Sequence, residues 1–152
     1  MRLEGKSIVV TGASAGMGQA IVTRFVQEGA YVVAVARRKE RLEELAAELK
    51  DAPGKVIIYA GDVSNPAVCE GMIDLAVKEF GRLDVLVNNA GIMDDNTAVG
   101  DMSDEMMERM FKVNTYAPLY SMRKAIKVFL EQDDESGNII NVLLKSCLIC
   151  IV

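Results

Sequence analysis

Residues 7–18 read Ser7-Ile8-Val9-Val10-Thr11-Gly12-Ala13-Ser14-Ala15-Gly16-Met17-Gly18, and the fold class follows from this stretch. A short apolar run leads into three glycines. Apolar residues then recur at helical spacing, namely Ile21, Val22, Phe25 and Val26. This pattern predicts a strand, a glycine-rich turn and a helix, which together form the opening unit of a dinucleotide-binding fold.

Glycines suit this turn because the backbone there must come close to a pyrophosphate, and a Cβ atom would obstruct that approach. The N-terminus of the following helix offers unpaired N–H groups and the positive end of its dipole to the phosphates. A glycine-rich stretch alone could be an ordinary turn. The strand and the helix that flank it here favour nucleotide binding.

The rest of the chain alternates predicted strands and helices. Apolar runs predict further strands over 31–36, 56–60, 83–88 and 138–143, and helical spacing predicts helices over 39–50 and 66–80. A third helical region runs from Ser103 to about Gln132, with an interruption near 114–118. Its methionines are expected to fill the core; they are Met102, Met106, Met107 and Met110. Repeated βα units predict an α/β fold, a three-layer αβα sandwich around a parallel sheet.

The composition narrows the classes of function. A net charge of −5, with no basic cluster longer than residues 37–39, argues against a nucleic-acid partner. The absence of histidine excludes Ser-His-Asp sites and His-containing zinc sites, and no metal site is expected. No apolar run is long enough to span a bilayer, and the N-terminus does not resemble a signal peptide. We therefore expect no membrane partner and a cytoplasmic location.

Polar residues follow three of the predicted strands. Arg37 and Arg38 come after the second strand, where an NAD site usually places an acidic residue for the ribose 2′-OH. Two arginines suit the extra phosphate of NADP, which predicts a preference for NADP(H) over NAD(H). The alternative is the solvated start of a basic helix. Asp62 ends the third strand as an adenine ligand or a turn cap. Asn88 and Asn89 end the fourth, where their amides could tie neighbouring loops together or only form a turn.

These motifs together resemble a known family. Residues 11–18 match the TGxxxGxG signature of the short-chain dehydrogenase/reductase family. Its next three landmarks follow in order and at the usual spacing, as Asp62-Val63, Asn88-Asn89-Ala90-Gly91 and Val113-Asn114. The resemblance covers residues 5–142. It implies a Rossmann-type fold and hydride transfer between NAD(P) and a small-molecule alcohol or carbonyl substrate.

The resemblance also assigns roles to residues. The pyrophosphate would lie on the turn formed by Gly12, Ser14, Ala15, Gly16, Met17 and Gly18. The 2′-phosphate would lie on Arg37, with Arg38 beside it. The adenine would contact Asp62 and Val63, and the adjacent ribose would lie along Asn89, Ala90 and Gly91. Asn114 would be the first member of the catalytic tetrad, holding a proton-relay water at a break in its helix.

The family pattern fails after residue 142. At the family's usual interval from Gly137, the catalytic serine is replaced by Leu144, and Ser146 lies two residues further on. The Tyr and Lys of the family's YxxxK motif would fall beyond Val152. Residues 143–152 form an apolar tail in place of the expected small, polar loop. We therefore divide the chain into a nucleotide-binding domain, 1–142, with about five of the family's usual seven strands, and an atypical tail, 143–152. A frameshift, a premature stop or a genuine short variant would each produce such a tail.

The sequence thus predicts an NADP(H)-dependent oxidoreductase by lineage, with little or no turnover by this polypeptide because the Ser, Tyr and Lys residues are missing. Two alternatives stay open. One is a non-catalytic NADP-binding or interaction module, and the other is an unstable truncated product. The substrate and the oligomeric state are not determined by the sequence.

Overall fold

The computed structural model describes residues 1–94 and 97–143. Within them lies a single parallel sheet with strand order β3-β2-β1-β4-β5. The strands are β1 (Ser7–Thr11), β2 (Tyr31–Ala36), β3 (Lys55–Ala60), β4 (Val85–Asn88) and β5 (Asn138–Asn141). The predicted α/β fold with a parallel sheet is confirmed, and the order reverses between β1 and β4.

The helices connect the strands in the predicted alternation. They are α1 (Gly16–Gln27), α2 (Lys39–Glu48), α3 (Pro66–Phe80), α4 (Asp104–Phe111) and α5 (Ala117–Glu131). A short 3₁₀ turn, Val99–Asp101, precedes α4, and a π-helical turn, Lys112–Tyr116, joins α4 to α5.

Both faces of the central strands β1, β2 and β4 are buried, because successive side chains of a strand point to opposite faces and both sets are mainly apolar here. On one face Val9, Val33 and Val35 pack with α3 and α5. On the other face Ile8, Val10, Val32 and Ala34 pack with α1 and α2. The two apolar clusters produce the predicted three-layer sandwich.

The long helical region is interrupted close to where the sequence predicts it. The interruption expected near 114–118 is a π turn over Lys112–Tyr116, and Pro118 lies in the first turn of α5. The expectation that the methionines fill the core is wrong for this region. Helix α4 has no buried residue, and Met107 is 36% exposed. Met106 and Met110 are only partly buried, and none of the three methionines of α4 belongs to the buried core.

The hydroxyl of Thr11 joins β1 to the loop after β4, at the point where the strand order reverses. Its Oγ1 accepts hydrogen bonds from the backbone N–H groups of Asn89 and Ala90, each at 3.0 Å. It also donates to the carbonyl oxygen of Val87 at 3.4 Å. Thr11 is buried, with 3% of its surface exposed, so no water replaces these bonds without rearrangement.

At the amino ends of the strands, opposite the end that carries Thr11, the carboxylate of Asp84 joins the beginnings of β1 and β4. It accepts from the backbone N–H of Ser7 at 2.9 Å, from Lys6 Nζ at 2.9 Å and from Arg82 Nε at 3.1 Å. Burial alone would raise the pKa of Asp84, but the Ser7 hydrogen bond and the two cations outweigh burial and hold that pKa below its ordinary value.

We expect Thr11→Val to lower the free energy of unfolding by about 1–3 kcal/mol, because two partly buried N–H groups lose their acceptor while the side-chain volume is kept. Urea unfolding followed by circular dichroism would measure the loss. The matched control is Thr23→Val on α1, because Thr23 is only partly buried. Equal losses in the two variants would contradict the role given to the Thr11 hydroxyl.

Stability should also depend on pH through Asp84. Because its folded pKa is depressed, its stabilising effect is fully present above the unfolded pKa of about 3.9 and is lost as pH falls through the folded pKa. At pH 7 we expect Asp84→Asn to lower the free energy of unfolding by about 1–3 kcal/mol. The difference from wild type should shrink as pH falls below about 4. Exposed Asp51, changed to Asn, serves as control. A difference that stays constant from pH 7 to pH 3 would count against this assignment.

Candidate functional site

A cleft of about 240 Å³ opens at the carboxyl ends of the central strands. The loops after β1, β2, β3 and β4 form its wall, together with one residue of the π turn. The lining residues are Gly12, Ser14, Ala15, Val35, Ala36, Arg37, Arg38, Gly61, Asp62, Val63, Ala90, Gly91, Ile92 and Val113. In open parallel sheets, ligands bind at this edge, where the strand order reverses.

The glycines after β1 have separate physical roles. Gly12 has φ +71°, and a Cβ there would lie 2.9 Å from the Cα of Ala90. Gly16 has φ +57°, with open space where its side chain would be. A Cβ at Gly18 would overlap the carbonyl oxygen of Gly12, so this glycine lets α1 pack against the end of β1. The turn is therefore compact, and its backbone is accessible at Gly16.

Helix α1 begins at this turn without a side-chain cap. Its N-cap residue, Ala15, provides no acceptor, and no acidic residue lies in the first turn. By contrast, Asn65 caps α3 and Ser103 caps α4 through their side-chain oxygens. The N-terminus of α1 thus presents backbone donors and a positive dipole end beside the cleft, which fits the phosphates of a dinucleotide.

Two arginines form the wall after β2. Nη2 of Arg38 donates to Oγ of Ser14 at 3.1 Å, which links this loop to the glycine-rich turn. Arg37 is exposed and also lines the cleft. The strand ends at Ala36, and the two residues that follow are cationic, so the position that often carries an acid in NAD sites carries none here.

Asp62 caps its own turn, because Oδ1 accepts from the backbone N–H of Ser64 at 2.9 Å. Burial alone would raise the pKa of Asp62, but the Ser64 hydrogen bonds and the charges of Arg37 and Arg109 outweigh burial and hold the pKa below its ordinary value. Asp62 therefore stays ionised at neutral pH, as an acceptor in the cleft wall.

The asparagines after β4 tie neighbouring segments together, the first of the two roles considered for them. Nδ2 of Asn88 donates to Oδ1 of Asn141 at the end of β5, at 2.9 Å. Nδ2 of Asn89 donates to the carbonyl oxygen of Thr11 at 3.0 Å. Asn89 thus holds the turn after β1 from behind, while Ala90 and Gly91 form the wall.

The amide of Asn114 holds the loop after β4. Its Oδ1 accepts from the backbone N–H of Ile92 at 2.9 Å, and its Nδ2 donates to the carbonyl oxygen of Ile92 at 2.8 Å. Because Ile92 lines the cleft, Asn114 shapes the wall through this loop. The sequence named Asn114 but not its partner.

The structure brings nine of the predicted cofactor-binding residues onto the cleft wall, among the residues it describes. They are Gly12, Ser14, Ala15, Arg37, Arg38, Asp62, Val63, Ala90 and Gly91. Gly16, Met17, Gly18 and Asn89 belong to the same turn and loop. The wall also contains five residues that were not predicted to bind the cofactor, namely Val35, Ala36, Gly61, Ile92 and Val113. The first four lie at or shortly after the end of a strand, which is the signal that could have identified them.

Leu144 and Ser146, which bear on the expected loss of the catalytic serine, lie outside the described residues. Within 1–94 and 97–143, no group of three or more acidic residues and cysteines is placed to hold a metal ion. None of the helices in these ranges is both long and apolar enough to cross a membrane.

Comparison with known proteins agrees with this geometry. The family model described as "short chain dehydrogenase" matches residues 6–148. The chain is 42% identical over 139 residues to 3beta-hydroxysteroid dehydrogenase 2 of Eggerthella lenta, covering 91% of this chain and 53% of that protein. It therefore spans about half the length of this relative.

Solved structures show the same fold. A short chain dehydrogenase from Mycobacterium smegmatis has a TM-score of 0.86 and 36% identity, over 92% of this chain and 58% of that one. A metagenomic short-chain oxidoreductase in complex with NADP has a TM-score of 0.86 and 33% identity, over 93% of this chain and 63% of that one. With the family model matching most of its length, the chain belongs to the short-chain dehydrogenase family.

Proposed function

We propose that the cleft binds NADP(H) in preference to NAD(H). The observation that carries this proposal is the meeting of two cationic side chains, Arg37 and Arg38, with the uncapped N-terminus of α1 in one cleft. A dinucleotide with a third phosphate needs cations beyond the helix N-terminus. The metagenomic short-chain oxidoreductase, which was solved in complex with NADP, supports the proposal.

In this proposal the turn from Gly12 to Gly18 holds the pyrophosphate, and Arg37 with Arg38 holds the 2′-phosphate. The adenine lies against Asp62 and Val63, and its ribose lies along Asn89 to Gly91. In the oxidoreductase reaction that the family implies, the nicotinamide ring of the bound cofactor would supply or accept the hydride. Asn114 contributes by holding Ile92 in the wall.

The family membership supports an oxidoreductase acting on small alcohols or carbonyl compounds. Proton transfer in such a reaction needs an acid or base that can exchange a proton near neutral pH. Among the described residues, the titratable groups on the cleft wall are Arg37, Arg38 and Asp62, and Asp62 stays ionised. None of the four described tyrosines lines the cleft. We therefore propose that a polypeptide of these 152 residues alone binds the cofactor without transferring a hydride.

Two sequence-based expectations belong to the same proposal. Residues 1–142 form the nucleotide-binding domain and residues 143–152 an added tail, and the protein resides in the cytoplasm. Limited proteolysis would test the boundary, and cell fractionation would test the location.

Arg37→Ala should weaken NADPH binding about 10- to 100-fold and change NADH binding only slightly, because NADH lacks the 2′-phosphate that the guanidinium would contact. Titration of dinucleotide fluorescence measures both constants. The control is Arg41→Ala, since Arg41 is exposed on α2 and pairs with Glu44 at 3.1 Å. Equal weakening of NADPH and NADH would contradict the NADP preference. No saturable binding by the wild type would remove the cleft assignment itself.

The purified chain should not oxidise NADPH above the buffer rate with a panel of aldehydes and ketones, because its described cleft lacks a proton donor of suitable pKa. The same sample should bind NADPH, which shows that the site is folded. Turnover comparable to that of full-length family members would contradict this expectation.

A further inference from the structure

Met17 is a large apolar residue in the first turn of α1, between two glycines of the phosphate turn. We propose that Met17 is an oxidation site, at which peroxide converts the thioether to the sulfoxide and thereby lowers the affinity of the cleft for a dinucleotide. This inference rests on the proposed NADP(H) site.

The exposure of Met17 is the first observation. Its side chain is 59% exposed, because the buried face of α1 consists of Gly18, Val22 and Val26. Met107 on α4 is 36% exposed, and Met72 on α3 is fully buried. Among the described methionines after Met1, Met17 is the most exposed, and the rate of methionine oxidation follows access to the sulfur.

The uncapped start of α1 is the second observation. Ala15 offers no side-chain acceptor to the first-turn N–H groups, and no carboxylate lies near them in that turn. A sulfoxide oxygen is a strong hydrogen-bond acceptor with a partial negative charge. Placed at Met17, it competes with the pyrophosphate oxygens for the donors and for the positive end of the dipole.

The chemistry balances with a single peroxide. The O–O bond breaks, one oxygen forms the S–O bond, and the other leaves as water with both hydrogens. The sulfur loses two electrons and the peroxide gains them. The product is polar and chiral where the native side chain is apolar, and two methionine sulfoxide reductases, one for each epimer, return it to the thioether.

The test treats the full chain with hydrogen peroxide and measures two quantities. Peptide mass spectrometry measures the oxidation rate at each methionine, and fluorescence titration measures the Kd for NADPH before and after treatment. We expect Met17 to oxidise several-fold faster than Met107, NADPH to slow oxidation at Met17 alone, and the Kd to rise about tenfold. For each protein we take the ratio of the Kd for NADPH after peroxide treatment to the Kd before it. A difference in starting affinity between the variants therefore does not affect the comparison.

The ratio should return to one after treatment with both methionine sulfoxide reductases, one for each sulfoxide epimer, and it should stay near one in Met17→Leu. The matched control, Met107→Leu, should keep the full rise. Oxidation at Met17 no faster than at Met107, or an equal rise in Met17→Leu, would overturn the inference. An absence of NADPH binding before treatment would instead remove the proposed function, while the oxidation rates would still decide whether Met17 is the reactive site.

Discussion

The hydrogen bonds of the Thr11 hydroxyl hold the cleft in its arrangement. The hydroxyl oxygen accepts hydrogen bonds from two backbone N–H groups of the loop after β4, and so fixes that loop against the end of β1. The strand order reverses here, and the reversal opens the cleft. Gly12 allows the same approach, because a Cβ at that position would press on the backbone of Ala90. The Thr11 hydroxyl binds the loop, and Gly12 leaves room for it.

The amino and carboxyl ends of the strands are stabilised differently. At the end of the strands away from the cleft, the carboxylate of Asp84 accepts hydrogen bonds from a backbone N–H and pairs with two cations. At the cleft edge, α1 starts without a cap, whereas α3 and α4 are capped. A missing cap costs about 1 kcal/mol of helix stability. The same donors become available to a phosphate, so the edge that is weaker without ligand is the one suited to binding.

That exposed helix start also explains why Met17 is the most exposed of the described methionines after Met1. Its neighbours Gly16 and Gly18 have no side chains to cover it, and its position lies off the buried face of α1. In the proposed site, the glycine-rich turn that would admit a phosphate would also admit other small molecules to the sulfur of Met17.

The order of strands and helices, the glycine-rich turn and the cations after β2 could all be predicted from the sequence. Each of these depends on residues close together in the chain: apolar runs for strands, helical spacing for helices, and glycine where the backbone turns. The resemblance to the family further named Asn89 and Asn114. For these features local pattern was sufficient, and the structure places nine of the named residues on the cleft wall.

Which groups pair across the sheet could be learned only from the folded chain. Thr11 meets Asn89 across 78 residues of chain, and Asn114 meets Ile92 across 22, because the strand order and the π turn bring them together. The burial of the methionines of α4 was mispredicted for the same reason. Helical spacing shows which side of a helix is apolar, but not whether that side meets a strand or solvent. Periodicity is a property of the local chain, whereas burial and hydrogen-bond partners depend on what the fold places opposite each residue.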